Sequence, residues 1–151
     1  MDGFWEGNNV GTRSVKVVSG ELPGNGDGDI LVGAHHDSVY ISPGAVDNAV
    51  GVSQLFEVAT QLSELNLEST VTFATWGGEE LGLLGSQAYI ESNQEYIGSL
   101  DLYINLDSTN LNPSKGLGTL GIETSDSKLV DSISKIQSSV LNNEEWNDYD
   151  A

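Results

Sequence analysis

Ile30-Leu31-Val32-Gly33-Ala34 runs without a polar side chain straight into His35-His36-Asp37. A short continuous apolar run of this kind predicts a strand buried on both faces. Upstream, Pro23-Gly24-Asn25-Gly26-Asp27-Gly28-Asp29 is a strong loop signal. Before that loop, Arg13 to Leu22 is partly alternating and β-branched at Val15, Val17 and Val18, which predicts another strand. Downstream, Ser42-Pro43-Gly44 leads into a helical pattern from Asn48 to about Leu65, where Val52, Phe56 and Ala59, and Leu55, Ala59 and Leu62, recur at spacings of four and three. Val71 to Trp76 predicts a strand that Gly77-Gly78 breaks, and a short helix follows near Gly85 to Glu95. Leu102 to Leu106 is a further apolar strand, and another is expected around Thr119 to Thr124. Leu129, Ile133, Ile136 and Val140 form one apolar stripe on a helix from about Ser127 to Leu141. Met1 to Gly11 and Asn142 to Ala151 carry no strong pattern. Strands alternating with helices predict an α/β domain with a largely parallel, mixed central sheet and helices on both faces.

A chain of 151 residues makes about one domain. It can bury roughly 70% of its unfolded surface, so a core forms without staples. There is no cysteine, which excludes disulfides and thiolate metal sites. No apolar run reaches the ~20 residues of a membrane span. Asp and Glu number 23 against 5 Lys and Arg, a formal net charge of −18. Phosphate-mediated nucleic-acid binding needs the opposite sign and is excluded as a main function, as is attraction to an anionic membrane surface. Self-repulsion of this size destabilises a compact state unless salt or bound cations screen it. The abundance of acids and the scarcity of lysine (Lys16, Lys115, Lys128, Lys135) read as salt adaptation. An ordinary acidic protein has the same composition, and that alternative stays open.

In parallel α/β sheets the ligand site lies beyond the carboxyl ends of the strands. Three of the expected strands end there in metal-capable or proton-transfer groups: His35-His36-Asp37, Glu79-Glu80 after Gly77-Gly78, and Asp107. Asp47 stands just before a helix. Singly, each has a plain structural explanation: a satisfied histidine, an N-cap, a solvated pair, a turn starter. Jointly they aim at one rim of one sheet. Imidazole nitrogen and carboxylate oxygen are a donor set that Zn²⁺ accepts. A carboxylate able to bridge two ions suits paired-metal hydrolysis. Asp37, two residues past His35, is placed to hold the other imidazole nitrogen. The adjacent Glu79 and Glu80 can divide the tasks of base and ligand.

The stretches Val32-Gly33-Ala34-His35-His36-Asp37-Ser38, Pro43-Gly44-Ala45-Val46-Asp47-Asn48-Ala49-Val50-Gly51, Trp76-Gly77-Gly78-Glu79-Glu80-Leu81-Gly82-Leu83-Leu84-Gly85-Ser86 and Ile104-Asn105-Leu106-Asp107 resemble the zinc-dependent aminopeptidases with a co-catalytic metal pair. That superfamily also holds glutamate carboxypeptidase and glutaminyl cyclase. The resemblance implies a peptide substrate and two zinc ions. It gives His35 and Asp107 to the first metal, Asp47 to both, and Glu80 to the second. It makes Glu79 the general base and Asp37 the residue that orients His35. It also implies a cis bond between Asp47 and Asn48, and secretion, although Met1-Asp2-Gly3-Phe4-Trp5 has neither a basic start nor an apolar stretch.

The family pattern needs one further histidine late in the chain, and this sequence holds only His35 and His36. His36 is a poor substitute, because neighbouring strand residues point to opposite faces. It is expected to be packed on the other face or exposed. The chain is therefore read as a single domain over residues 1–151 that is incomplete at its C-terminal end, with the first metal site better preserved than the second. Three alternatives follow: a non-catalytic member of the superfamily, a glutaminyl cyclase-like enzyme, and a plain acidic domain binding Ca²⁺ or Mg²⁺ through carboxylates.

Overall fold

Strand β2, Asp29–His35, is the axis of the sheet. In a computed structural model of the chain, the residues described are 14–107 and 127–141. Along the chain run β1 (Val17–Leu22), β2, α1 (Ala49–Leu62), β3 (Thr70–Trp76), α2 (Leu84–Ser92), α3 (Gln94–Ser99), β4 (Leu102–Asn105) and α4 (Ser127–Leu141). The chain divides into two units, residues 1–117 and 118–151. In the first, four strands form one sheet in the order β1-β3-β2-β4. β2 pairs parallel with both β3 and β4, and β1 lies antiparallel on the far side of β3. The two inner strands are the most buried, as a position covered on both faces requires. β1, at an edge, carries Ser19, Gly20 and Glu21 and is largely exposed. The expected architecture, a largely parallel mixed sheet with helices on both faces, is the one found.

Alternation of side chains sorts the core into two layers. On one face Val32 and Ala34 of β2 meet Val71 and Phe73 of β3, and Leu55 of α1 packs on them. Val52, Ala59 and Leu62 extend that helical face. On the other face Leu31, Ala74 and Trp76 are covered by Tyr89 of α2 and Ile97 of α3. Burying a side chain such as Leu55 is worth about 1.5–3 kcal/mol. Parallel strands need long crossovers: α1 joins β2 to β3, while α2 and α3 carry the chain across β2 to β4.

Three local expectations need correction. Phe56 has the spacing of the apolar stripe of α1, yet it is 63% exposed; the buried stripe runs through Gly51 and Leu55 instead. The helix ends at Leu62 rather than Leu65, because the N–H groups of Glu64 and Leu65 turn back three residues, onto Gln61 and Leu62, instead of four. The single helix near Gly85 to Glu95 is two helices. Asn93 leaves the helical conformation, its side chain donates to the Tyr89 carbonyl at 2.8 Å, and its own carbonyl accepts the Ile97 N–H at 2.9 Å. An asparagine that bonds nearby backbone in this way competes with the helix ladder. The expected strand at Thr119 to Thr124 lies outside the described residues. In the second unit, α4 spans Ser127–Leu141, as its stripe predicts, with Leu129 and Ile133 half-buried.

Candidate metal centre

Because β2, β3 and β4 are parallel, their carboxyl ends share one edge, with His35 opposite Trp76 and Gly33 opposite Asn105. β2 delivers His35 there, and β4 delivers Asp107 two residues past its end. Asp47 arrives on the loop before α1. A donor atom of each of these three residues lies within 4.8 Å of the other two. His35 Nε2 is 2.9 Å from Asp47 Oδ1 and 3.4 Å from Asp107 Oδ1. His35 is only 3% exposed, whereas both carboxylates open to solvent. The Asp47–Asn48 peptide is cis.

The tautomer follows from the partners. His35 Nδ1 lies 3.1 Å from the Asp37 backbone carbonyl, which can only accept, so Nδ1 carries a hydrogen. That leaves Nε2 facing Asp47 and Asp107. An imidazole lone pair and two carboxylates cannot approach so closely without a proton or a cation among them. Burial works against protonation of His35 most strongly. The charges of Asp107, Glu79, Asp47 and Asp37 together outweigh it and hold the pKa above the ordinary imidazole value. A divalent ion would answer the same charges, and the donor set, one nitrogen and two oxygens, suits Zn²⁺.

Asp37 reaches the site differently from expectation. Its carboxylate is 3.7 Å from His35 Nδ1, and its backbone carbonyl makes the closer contact with the ring. The carboxylate instead accepts the backbone N–H groups of Glu79 at 3.0 Å and Glu80 at 3.3 Å. Two N–H groups at the head of a turn are a better match for an anion than one edge of an imidazole. Asp37 therefore clips the Glu79-Glu80 turn to the segment that follows His35. The turn itself is tight: Gly82 and Leu83 both donate to the Glu79 carbonyl at 2.9 Å. Gly78 enters it at φ +72, a conformation that favours glycine.

Glu79 lines a cavity of 540 Å³ together with His35 and Asp107. Leu31, Trp76, Tyr89 and Tyr103 make much of its wall apolar. Burial raises the pKa of Glu79; His35 acts against the rise, and Glu80, Asp107 and Asp37 add to it. Among the described residues, the converging donor group comprises His35, Asp47 and Asp107, and the Glu80 carboxylate is not a member. His36 is exposed, and its backbone N–H extends the β2–β3 pairing to the Trp76 carbonyl at 2.8 Å. Sequence reasoning missed the cavity wall, since an aromatic on a strand face carries the same signal as core. It also missed the side chain of Asn48: the helical pattern takes Asn48 as its first residue and leaves the cap to Asp47, whereas Asn48 itself caps α1.

The carboxyl edge of this α/β sheet thus gathers an imidazole, two carboxylates and a half-buried glutamate, a donor set that suits a metal ion. Comparison with known proteins gives the class: the chain belongs to peptidase family M28, whose pattern matches residues 17–146. It is 39% identical over 101 residues to a probable lipoprotein aminopeptidase, LpqL, of Mycobacterium tuberculosis, covering 64% of this chain and 20% of that protein. It is 37% identical over 92 residues to leucine aminopeptidase 2 of Trichophyton equinum, covering 60% of this chain and 19% of that one. A solved zinc aminopeptidase from Bacillus subtilis superposes with a TM-score of 0.58 at 35% identity, over 62% of this chain and 24% of that chain. The chain thus spans about a fifth of the length of these curated relatives. Among the described residues, no helix is long and apolar enough to cross a membrane.

Proposed function

We propose that this site is that of a zinc-dependent aminopeptidase, releasing N-terminal residues from peptides. The observation that carries the reading is the convergence of His35, Asp47 and Asp107, of which His35 and Asp107 line a cavity together with Glu79. In this reading His35, Asp47 and Asp107 would hold one zinc ion, and Asp47 and Glu80 would contribute to a second. When bound, zinc supplies Lewis acidity that polarises the scissile carbonyl. Glu79 accepts a proton from the attacking water and returns it to the departing amine. Its raised pKa brings it closer to neutrality, where a base that must also act as an acid works best. Asp37 fixes the turn from which Glu79 projects. The apolar cavity wall favours an apolar side chain on the released residue, and the surrounding acids disfavour an acidic one. The names of the relatives, a lipoprotein aminopeptidase among them, support a place outside the cytoplasm. The excess of 23 acidic over 5 basic residues supports a salt-rich one.

The test is zinc stoichiometry measured beside hydrolysis of leucine p-nitroanilide, on the protein and on Glu79→Gln. The expected result is unchanged zinc content and a turnover lower by ~10²–10⁴. Equal loss of zinc and turnover would make Glu79 a ligand. Zinc binding with no hydrolysis by the unaltered protein would favour a non-catalytic member of the superfamily.

A further inference from the structure

We propose that Asn48 is a positioning residue: its side-chain amide sets the spacing of His35, Asp47 and Asp107, a role that rests on the zinc reading above. Asn48 is 1% exposed, the largest side chain to be fully buried among the described residues. A buried amide is costly unless its polar atoms are paired. Nδ2 donates to the Leu106 carbonyl at 2.9 Å and to the His35 carbonyl at 3.3 Å. Oδ1 accepts the Gly51 N–H at 3.1 Å. Two carbonyls require the donor end of the amide and one N–H requires the acceptor end, so a single orientation satisfies all three.

The bonds tie together segments that bring the donors from different parts of the chain. His35 is itself a donor and ends β2. Leu106 directly precedes Asp107, and Asp47 directly precedes Asn48. The sheet ladder holds β4 against β2 through the Leu106 N–H and the Gly33 carbonyl, at 2.8 Å. Asp47 belongs to no strand, so that ladder does not place it. The Asn48 amide joins its loop to both strand ends at once.

Capping alone does not account for this residue. Ser, Thr or Asp would cap α1 about as well. None of them can donate two hydrogen bonds while accepting one. An aspartate would set a carboxylate oxygen against two carbonyls. A methyl group at Gly51 would overlap both Asn48 Oδ1 and the Leu106 carbonyl oxygen, so the close approach there needs glycine.

The experiment compares zinc affinity, by calorimetry well below the melting temperature, in the unaltered protein, Asn48→Ser, Asn48→Asp and Val71→Ala. Both Asn48 variants keep a capping oxygen and lose the donors. Val71→Ala lowers stability from the core, away from the donors. The expected result is roughly a tenfold or greater loss of zinc affinity in the folded Asn48 variants, a changed visible spectrum with Co²⁺, and unchanged affinity in Val71→Ala. Loss in Asn48→Asp is the more telling, because its added negative charge would by itself favour the cation. Unchanged affinity in a folded Asn48 variant, or an equal loss in Val71→Ala, would overturn the positioning role. A wild-type protein that binds no zinc would overturn the site reading instead. If neither Asn48 variant folds, the side-chain amide protons of ¹⁵N-labelled wild-type protein decide. Slow exchange and a shift that saturates with zinc are expected, and fast-exchanging protons indifferent to zinc would refute the role.

Discussion

The two ends of β2 use the same residue type in opposite ways. At the amino end, the Asp101 carboxylate accepts the Asp29 N–H at 3.1 Å, while the Asp101 N–H bonds the Asp29 carbonyl at 2.9 Å. That carboxylate is committed to the fold, as a clip on a strand end. At the carboxyl end, Asp47 and Asp107 turn their oxygens toward an imidazole nitrogen instead. A carboxylate that accepts a backbone N–H stabilises a chain; carboxylates gathered around a nitrogen lone pair await a cation. Asp37 shows that position along the sheet does not decide between the two. It sits at the donor end, yet its carboxylate serves the backbone of Glu79 and Glu80.

The strongest way to break this contrast is to remove its centre. His35→Ala should lower zinc affinity on the order of 100-fold or more, since it takes away the only nitrogen of the donor group and more than a supporting partner would cost. Zinc affinity that survived in His35→Ala, measured by calorimetry, would mean that the ion binds elsewhere among the acids.

Asp37→Ala sharpens the contrast from the other side. If the carboxylate acts on the Glu79-Glu80 turn, zinc affinity at the His35 group should hold while turnover falls roughly 10–100-fold. Stability should drop by about 2 kcal/mol, because two backbone N–H groups lose a charged acceptor. Zinc affinity falling in parallel with turnover would return Asp37 to the role of orienting His35.

Much of this arrangement was legible in the sequence, and the reasons are local. Ile30 to Ala34 and Val71 to Trp76 read as strands because inner strands are covered on both faces, and Leu102 to Leu106 reads as one from its short apolar run although it forms an edge. Their parallel direction then brings His35, Asp107 and the Glu79-Glu80 turn to one edge without further information. What escaped depended on neighbours distant in sequence. Phe56 has the helical spacing of a core residue, but the sheet beneath α1 meets Leu55. Asn93 lies inside the expected helix, and its non-helical backbone and its bond to Tyr89 show the break only in the fold. The carboxylate of Asp37 was paired with the residue nearest in sequence, although its partners lie more than forty positions away. The two carbonyls over Asn48 belong to strand ends that no local pattern could set beside it.

Protons probe the same contrast more gently. The carboxylates around His35 raise its pKa against the effect of burial. In zinc-free protein the protonated ring therefore stabilises the fold fully below about pH 6.5. That stabilisation is lost as pH rises through the higher folded-state value. Zinc competes with this proton, so its affinity runs the other way and falls as pH drops through that value. A calorimetric pH series should place the midpoint of the loss above the ordinary imidazole value. A midpoint at or below that value would mean that the carboxylates do not act on His35 together.

The smallest expected effect comes from the amino end. Asp101→Asn keeps a carbonyl oxygen to accept the Asp29 N–H and removes one charge, so the strand-end clip survives in weaker form. Stability should fall by about 1 kcal/mol, the difference between a charged and a neutral acceptor. Zinc affinity should not change, because the residue lies a whole strand length from His35 Nε2. The charge removed is one of many in a protein with a formal net charge of −18, and at that separation ordinary salt screens it. Asp101→Asn therefore separates the geometry of the donors from the bulk negative field. If it weakened zinc binding as much as a change at Asp47 or Asp107, the metal would be responding to the protein's overall charge, and the distinction between the two ends of β2 would fail.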